Sequence, residues 1–411
     1  MPKFTITLLA LFSVFQSFAQ EVSTEKLLKI YLDCNICDQT YMKQNLGNVQ
    51  FVRDQNYSDV HLFFLTQSNG SGGRSYEIDF IGKNEFESIN YKLNFTTDTN
   101  MSGDDVRNRI LKNIKLGLVR FWIAKGMTDE VTINVPSVNN EEKKEEKDPW
   151  NYWVFRVGAN GFFNGQESSK FSNLNFNLSA KRVTSKNKFS MNLGFSENKS
   201  TFTFDNEDIV SVNNNKYLNI SDILSINNHW SYGVFGRIGT STFSNKDMYW
   251  SLKPALEYNF FKYDKSAKKQ LTLSYRNGIE YNKYIERSVF GKTSENLWEH
   301  NILLGGTVKQ EWGNVNGEAS FNQYLHDTTL NSFGFYLGAN VRVFKGFNFN
   351  ISGNYSITRN QVNLPAGDIS LEELLLQQQQ LQSGYNYFVS VGLSYSFGSI
   401  YNTIVNPRFN F

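Results

Sequence analysis

From Trp150 to the end of the chain, apolar and polar side chains alternate in a series of segments separated by turn or loop residues. The clearest segments are residues 189–196, 248–260, 333–343 and 385–397. A period of two maintained over such lengths predicts strands of a sheet with two unlike faces. A tilted strand needs roughly 9–11 residues to cross a bilayer. The pattern therefore predicts a transmembrane antiparallel β-barrel, apolar outside and polar in the lumen.

Connection lengths give the strand number, because barrels of this kind alternate short periplasmic turns with longer outer loops. Inner turns are expected at residues 184–186, 227–228, 262–269, 313–314 and 345–346, and only the third of these is long. Longer loops are expected at residues 164–170, 205–213, 244–247, 284–295, 327–331 and 359–384. This alternation favours about twelve strands, with both ends of the barrel sequence in the periplasm. Ten or fourteen strands are the alternatives.

One predicted strand, residues 216–226, breaks the pattern. Asp222 shares the parity of Leu218, Ile220 and Leu224, which would put its carboxylate on lipid. Such a charge is costly at mid-membrane and less costly near an interface. A β-bulge would instead turn the side chain inward. Both arrangements are compatible with the sequence.

The first residues have the pattern of a secretory signal peptide. Lys3 precedes an apolar run from Leu8 to Phe18, and Ala19 ends a small-x-small cleavage site. We therefore expect residues 1–19 to be removed, residues 20–136 to form a periplasmic domain, and residues 150–411 to form the barrel. Residues 137–149 carry charges of both signs before Pro149, as expected for a solvated linker. A short binding segment is the alternative there.

Residues 20–135 follow a different pattern. Strands are predicted at residues 27–33, 49–53, 60–67, 76–81, 89–95 and 131–135, and helices at residues 38–46 and 104–125. The Asn69–Gly73 stretch lies between two strands, which indicates a hairpin turn and excludes a phosphate-binding loop. The result is a small α+β domain. Its element order and size resemble small domains of the Tol propeller protein and the curli-pore family, and that resemblance implies docking to other envelope proteins.

Cys34 and Cys37 are the only cysteines. In an oxidising compartment a local disulfide is the favoured interpretation. A thioredoxin-like redox pair is the second, weakened because residues 20–135 contain no proline. A metal site is the third, and His61 is the only imidazole nearby.

Strand parity also predicts which charged side chains face the lumen. They carry both signs: Arg156, Arg237, Lys253, Glu257, Arg276, Glu280, Glu299, Lys309, Glu311, Glu318 and Arg342. If water passes, such groups tune ion selectivity. If they pair with one another, they fill the interior and leave little channel. The sequence leaves both possibilities open.

The net charge of +2 gives no sign of nucleic-acid binding. The four histidines, His61, His229, His300 and His326, have no spacing that suggests a catalytic triad or a metal site. We therefore expect no enzyme activity, no cofactor and no metal. Ser370 and the leucines that follow it predict a short amphipathic helix in an outer loop, with a disordered glutamine-rich segment as the alternative.

The stretch from Tyr395 to Phe409 resembles the closing strand and tail of Gram-negative outer-membrane β-barrel proteins. Their insertion signal ends in an aromatic residue, a role open here to Phe397, Phe409 or Phe411. The resemblance implies insertion by the barrel-assembly machinery into outer-membrane lipid. The primary hypothesis is a barrel that anchors a periplasmic domain docking to an envelope protein or peptidoglycan. The alternatives are a diffusion channel for small solutes and, less favoured, an outer-membrane enzyme.

Overall fold

The computed structural model describes residues 27–129, 131–134, 148–204, 207–367, 384–401, 406 and 408. The predicted signal peptide, most of the charged linker, the predicted helix after Ser370, and Phe409 and Phe411 lie outside the described residues.

The N-terminal domain is a five-stranded sheet with two helices. Its elements are β1 (Leu28–Asp33), α1 (Gln39–Asn45), β2 (Val49–Phe51), β3 (Val60–Ser68), β4 (Arg74–Gly82), β5 (Asn90–Thr97) and α2 (Gly103–Ala124). The strand order is β2-β1-β3-β4-β5, and β1 is parallel to both β2 and β3. The prediction of a further strand was wrong for residues 131–134, which adopt no strand.

Helix α2 forms because its ends and faces match helical requirements. Ser102 and Asp105 form a reciprocal capping box at its N-terminus. Ile110, Ile114 and Leu118 lie on one face and are fully buried against the sheet. Gly117 allows this close approach, since a Cβ atom there would overlap the Phe80 ring.

The second part of the chain is a twelve-stranded antiparallel sheet, which confirms the predicted strand number. The strands are β6 (Trp153–Gln166), β7 (Ser169–Val183), β8 (Asn187–Phe204), β9 (Glu207–Ser225), β10 (Trp230–Ser241), β11 (Lys246–Asn259), β12 (Lys269–Tyr284), β13 (Ser294–Gln310), β14 (Gly313–Tyr324), β15 (Asn331–Phe344), β16 (Phe347–Thr358) and β17 (Tyr385–Tyr395). Each strand pairs with its neighbours in sequence, so the fold is an up-and-down meander.

The two faces of this barrel sheet differ as the alternation predicts. Val157 is 68% exposed and Val391 is 59% exposed, and each lies on the face of its strand that carries most of the apolar side chains. The inner face is rich in asparagine, serine, glycine and charged residues, and six consecutive strands, β7 to β12, surround one polar cavity. The mainly β fold with a small α+β domain in front is therefore confirmed.

The sheet is not closed by hydrogen bonds among the described residues. Strands β6 and β17 are its two ends, and no ladder between them is present in that part of the chain. The predicted fully paired cylinder is thus not observed at this seam. In a bilayer each of these edges requires a hydrogen-bond partner, because lipid supplies none.

The barrel has two unlike ends, here called the domain end and the loop end. The domain end holds the tight turns, as predicted, although one of them lies at residues 311–312 rather than 313–314. At the loop end the predicted loop 164–170 is a two-residue turn, because β6 and β7 continue through it. Part of the β16–β17 loop folds over this end, where Val289 N donates to Leu364 O (2.8 Å).

Asp222 faces outward, opposite Val234 in a regular ladder without a bulge. It lies close to the domain end of β9, where Asn187 Nδ2 donates to its carboxylate at 2.5 Å. The structure therefore selects the interfacial position over the inward-turned one.

Among the described residues, no helix combines the length and the apolar character that crossing a bilayer would need.

Candidate functional site

The N-terminal domain lies across the domain end of the barrel. It contacts β6 through Thr99, the β11–β12 loop through Gln67, the β15–β16 turn through Tyr57, and the chain after β17 through Arg53. The contacts thus reach the rim from the first strand to the last.

The face of the sheet that meets the barrel is the one opposite the helices. Phe63 and Leu65 on this face are buried, although neither belongs to the core that packs on α1 and α2. Asp79, opposite Phe63 on β4, forms an ion pair with Lys268 of the β11–β12 loop. The domain therefore uses one sheet face for its own core and the other for the barrel.

At the centre of this interface lies a group of charged residues that we call the rim cluster: Asp33, His61, Lys83, Glu311 and Arg342. Arg342 Nη1 and Nη2 donate to the two oxygens of Asp33 at 2.6 and 2.8 Å. His61 Nε2 lies 3.2 Å from Asp33 Oδ2, and its Nδ1 lies 3.3 Å from Glu311 Oε2. Lys83 Nζ approaches Glu311 at 2.8 Å. Asp33 thus has one partner from each domain, Arg342 and His61. The barrel residue Glu311 has two partners from the N-terminal domain, His61 and Lys83.

The hydrogen bonds of the rim cluster favour the ionised form of its carboxyl groups. Both ring nitrogens of the fully buried His61 lie within hydrogen-bond distance of a carboxylate oxygen. Burial alone would raise the pKa of Asp33, but the hydrogen bonds from Arg342 and His61 outweigh it and lower that pKa to about 2. The His61 hydrogen bond and Lys83 likewise lower the pKa of Glu311 to about 2, against partial burial.

A cavity with a volume of about 950 Å³ lies in the lumen. The part of its wall formed by β8 and β9 is neutral and polar, with Ser190, Asn192, Ser196, Asn198, Asn213, Asn214, Asn215 and Asn219. Neutral amides and hydroxyls both donate and accept hydrogen bonds. This wall can therefore bind water or hydroxyl groups of a solute.

The part of the wall formed by β10 to β12 is charged. Lys246 Nζ lies 3.0 Å from Glu280, and Lys253 Nζ lies 3.6 Å from the same carboxylate. Lys253 also pairs with Glu299 of β13. These four residues, here called the lumen ion-pair network, neutralise one another.

Two further cations on this wall, Arg237 and Arg276, have no such partner among the described residues. We call them the lumen arginines. Arg237 Cζ lies 4.9 Å from the Tyr249 ring centroid, and Arg276 Cζ lies 4.2 Å from that of Phe235. Neither guanidinium has a carboxylate within ion-pair distance in the described part of the chain. Arg276 Nε is buried and donates no hydrogen bond there.

The structure separates the remaining predicted lumen charges. Arg156 donates to Thr99 at 2.6 Å, and Lys309 lines a cavity of about 250 Å³ beside Asp33 and Arg342, so both face the N-terminal domain. Glu257 accepts from Tyr263 Oη at 2.8 Å, and Glu318 lines a separate cavity with Tyr336. The expectation that Glu311 faces the lumen was wrong, because the residue lies in the β13–β14 turn.

Cys34 and Cys37 form a disulfide directly after Asp33, with Cα atoms 5.5 Å apart. No group of histidine, cysteine and carboxylate side chains suited to a metal occurs in the described residues. His300 lies beside Gln323, and His229 Nδ1 lies 2.7 Å from Asn259 O at the domain end.

Sequence reasoning missed the role of His61 and Asp33. The signal was weak but present: Asp33 and His61 share the second face of strands whose first face is fully apolar. A buried face that carries charges suggests an interface, yet nothing in the sequence identifies the partner as the rim of the same chain.

No family model matches this chain, and no curated protein matches it. Among solved structures, the NanC porin is 11% identical, covering 59% of this chain and 100% of its own, with a TM-score of 0.28. The translocator domain of the autotransporter NalP from Neisseria meningitidis is 12% identical, covering 70% of this chain and 98% of its own, with a TM-score of 0.27. The fold assignment rests on the twelve-stranded sheet itself.

Proposed function

We propose that this chain is an outer-membrane pore for small polar solutes, whose N-terminal domain closes the periplasmic end of the lumen. The observation that carries the proposal is the position of this domain, which contacts rim residues from β6 to beyond β17. A polar lumen cavity next to a covered rim is the arrangement expected of a gated pore. The apolar outer face supplies the contact with lipid, and the barrel-assembly machinery would insert it.

The interface is suited to a reversible closure. Ion pairs and hydrogen bonds to the side chains of Asp33, Glu311 and Asp79 hold it, beside the buried Phe63 and Leu65. Such polar contacts are strong only while they are complete, because a buried charge that loses its partner is costly. The domain can therefore be released by disrupting a small number of groups, while the charged linker keeps it attached.

Planar-bilayer conductance tests this proposal. The full chain is expected to be nearly silent, and the variant Asp33→Asn/Arg342→Gln is expected to give discrete conductance steps because the domain no longer seals the rim. Lys345→Gln is the matched control, since Lys345 has exposed contacts with Tyr57, to its Oη at 3.2 Å and to its ring, and has no carboxylate partner among the described residues. A silent bilayer with the doubly substituted chain, at wild-type levels of insertion, would refute the pore.

A docking role in the envelope is the second candidate. Helix α2 faces away from the barrel rim, and Leu116 and Ile123 on its surface are 58% and 48% exposed. These two side chains lie seven positions apart and share one helix face. An envelope protein or peptidoglycan could bind there while the domain stays on the rim. Pull-down with the full chain and with Leu116→Ser/Ile123→Ser tests it, and an identical set of partners for both would contradict this site.

A further inference from the structure

We infer that the lumen arginines form a binding site for a small organic anion that also carries hydroxyl groups. The anionic group, a carboxylate or a phosphate, would bind at the guanidinium groups of Arg237 and Arg276, and the hydroxyl groups of the same solute would face the neutral wall of β8 and β9. The inference deepens the proposed pore, on which it rests for solute passage, but binding itself can be measured without conduction.

The first support is the charge balance of the cavity. Its wall carries four cations, Arg237, Lys246, Lys253 and Arg276, and one carboxylate, Glu280. The neighbouring Glu299 pairs with Lys253. Both carboxylates are therefore used by lysines, and two guanidinium charges stay uncompensated by the described residues. An anion supplies the missing charge.

The second support is the way the guanidinium groups are held. Each lies over an aromatic ring, a cation–π contact that uses none of its N–H donors. The planar fork of a guanidinium suits the two oxygens of a carboxylate or phosphate. The buried Arg276 Nε, which has no partner among the described residues, is one donor that such a ligand would satisfy.

The third support is a pair of unsatisfied polar groups, one on each wall of the cavity. Asn214 Oδ1 on the neutral wall and Tyr249 Oη on the charged wall are buried and lack hydrogen-bond partners in the described part of the chain. Buried polar groups normally have partners, and hydroxyl groups can serve both donors and acceptors. The cavity volume of about 950 Å³ is within the range of small-molecule sites. A simple inorganic anion would leave the neutral wall of β8 and β9 unused.

Isothermal titration calorimetry of the full chain in detergent tests the site with three probes: D-glucuronate, D-glucose and inorganic phosphate. We expect glucuronate to bind the wild type more tightly than glucose, which lacks the carboxylate. Arg237→Gln/Arg276→Gln should weaken glucuronate binding at least about tenfold and leave glucose unchanged. Comparison of glucuronate with phosphate shows which anionic group the site prefers.

Arg182→Gln is the matched control, because Arg182 lies at the domain end and donates to Asn151 O at 2.9 Å, away from the cavity. Circular dichroism of each variant verifies the fold. Equal affinity for glucuronate and glucose in the wild type overturns the inference. So does undiminished glucuronate binding in a folded Arg237→Gln/Arg276→Gln chain.

Conductance of the Asp33→Asn/Arg342→Gln chain distinguishes the two proposals. An anion-selective current supports both the pore and the anion site if glucuronate blocks it and if adding Arg237→Gln/Arg276→Gln abolishes it. A current without anion preference overturns the anion site and leaves the pore. Specific glucuronate binding in a chain that never conducts supports the site and overturns the pore.

Discussion

The rim cluster and the lumen arginines are both groups of charged side chains inside the molecule, but they differ in pairing. At the rim, Arg342 and Asp33 share two hydrogen bonds, and His61 lies between two carboxylates. In the lumen, Arg237 and Arg276 stack on aromatic rings and have no carboxylate partner among the described residues.

The difference shows what each group can do. A complete set of partners fixes two parts of the chain together, because separating them leaves charges without compensation. A charge without a partner contributes little to folding and is available to a ligand. The rim cluster is therefore the structural element that holds the domain, and the lumen arginines are the candidate binding element.

The strongest disruption of the rim should be Arg342→Gln. Removing the guanidinium leaves the buried Asp33 carboxylate without its main partner, which costs about 2–5 kcal/mol of docking free energy. The measurement uses a protease site engineered into the linker, followed by gel filtration of the cut complex. The domain should separate from the barrel in Arg342→Gln and stay bound in wild type and in Lys345→Gln. Co-elution of the cut Arg342→Gln complex would contradict the role of the rim cluster.

Acid should also weaken docking, because protonation removes the charge of the carboxylates in the rim cluster. The ordinary pKa values of Asp33 and Glu311, 3.8 and 4.5, fall to about 2 in the docked chain, so both carboxyls bind protons more tightly when undocked. Their stabilisation is therefore complete above the undocked values and is lost as the pH falls from about 4.5 towards about 2. Gel filtration of the cut complex across this pH range measures the fraction of the domain that stays bound to the barrel. A bound fraction that is constant over the whole range would contradict the predicted pH dependence.

The disulfide should contribute less, and only to the domain. Cys34→Ser/Cys37→Ser opens a very short loop, worth roughly 2 kcal/mol of unfolding free energy by chain entropy. Because Asp33 directly precedes the loop, docking should weaken as well. Thermal unfolding followed by the helical circular-dichroism signal reports on this domain. Reduction of the wild-type disulfide should lower the melting temperature as the double substitution does. An unchanged melting temperature in Cys34→Ser/Cys37→Ser would contradict a stabilising role of the disulfide.

The smallest effect is expected from converting paired lumen charges into unpaired ones. Glu280→Gln removes the carboxylate that Lys246 and Lys253 share. Glucuronate affinity should rise by about 2- to 10-fold, since added positive charge favours an anion. Glu257→Gln is the control, because that carboxylate is bonded to Tyr263 Oη and does not line the cavity. Weaker glucuronate binding in Glu280→Gln would show that the ion-pair network organises the site.

Turn prediction was accurate at the domain end and poorer at the loop end, for a physical reason. Polar residues such as Asn213 mark loops in most proteins, but here they continue β9 and line the lumen. A barrel strand carries polar residues on its inner face over its full length, so composition alone does not separate strand from loop. The predicted strand at residues 131–134 failed for a related reason, because short apolar runs are ambiguous.

The sequence by itself determined the twelve strands, their inward and outward faces, and the separate α+β domain, because alternation and helical spacing are local properties of the chain. It also predicted a set of lumen-facing charges, and four of that set, Arg237, Lys253, Arg276 and Glu280, line the lumen cavity. Only the tertiary structure decided which charges pair. Asp33 and Arg342 are far apart in sequence and meet because the domain folds back onto the barrel. Pairing depends on distances between strands and domains, and local patterns do not encode those distances.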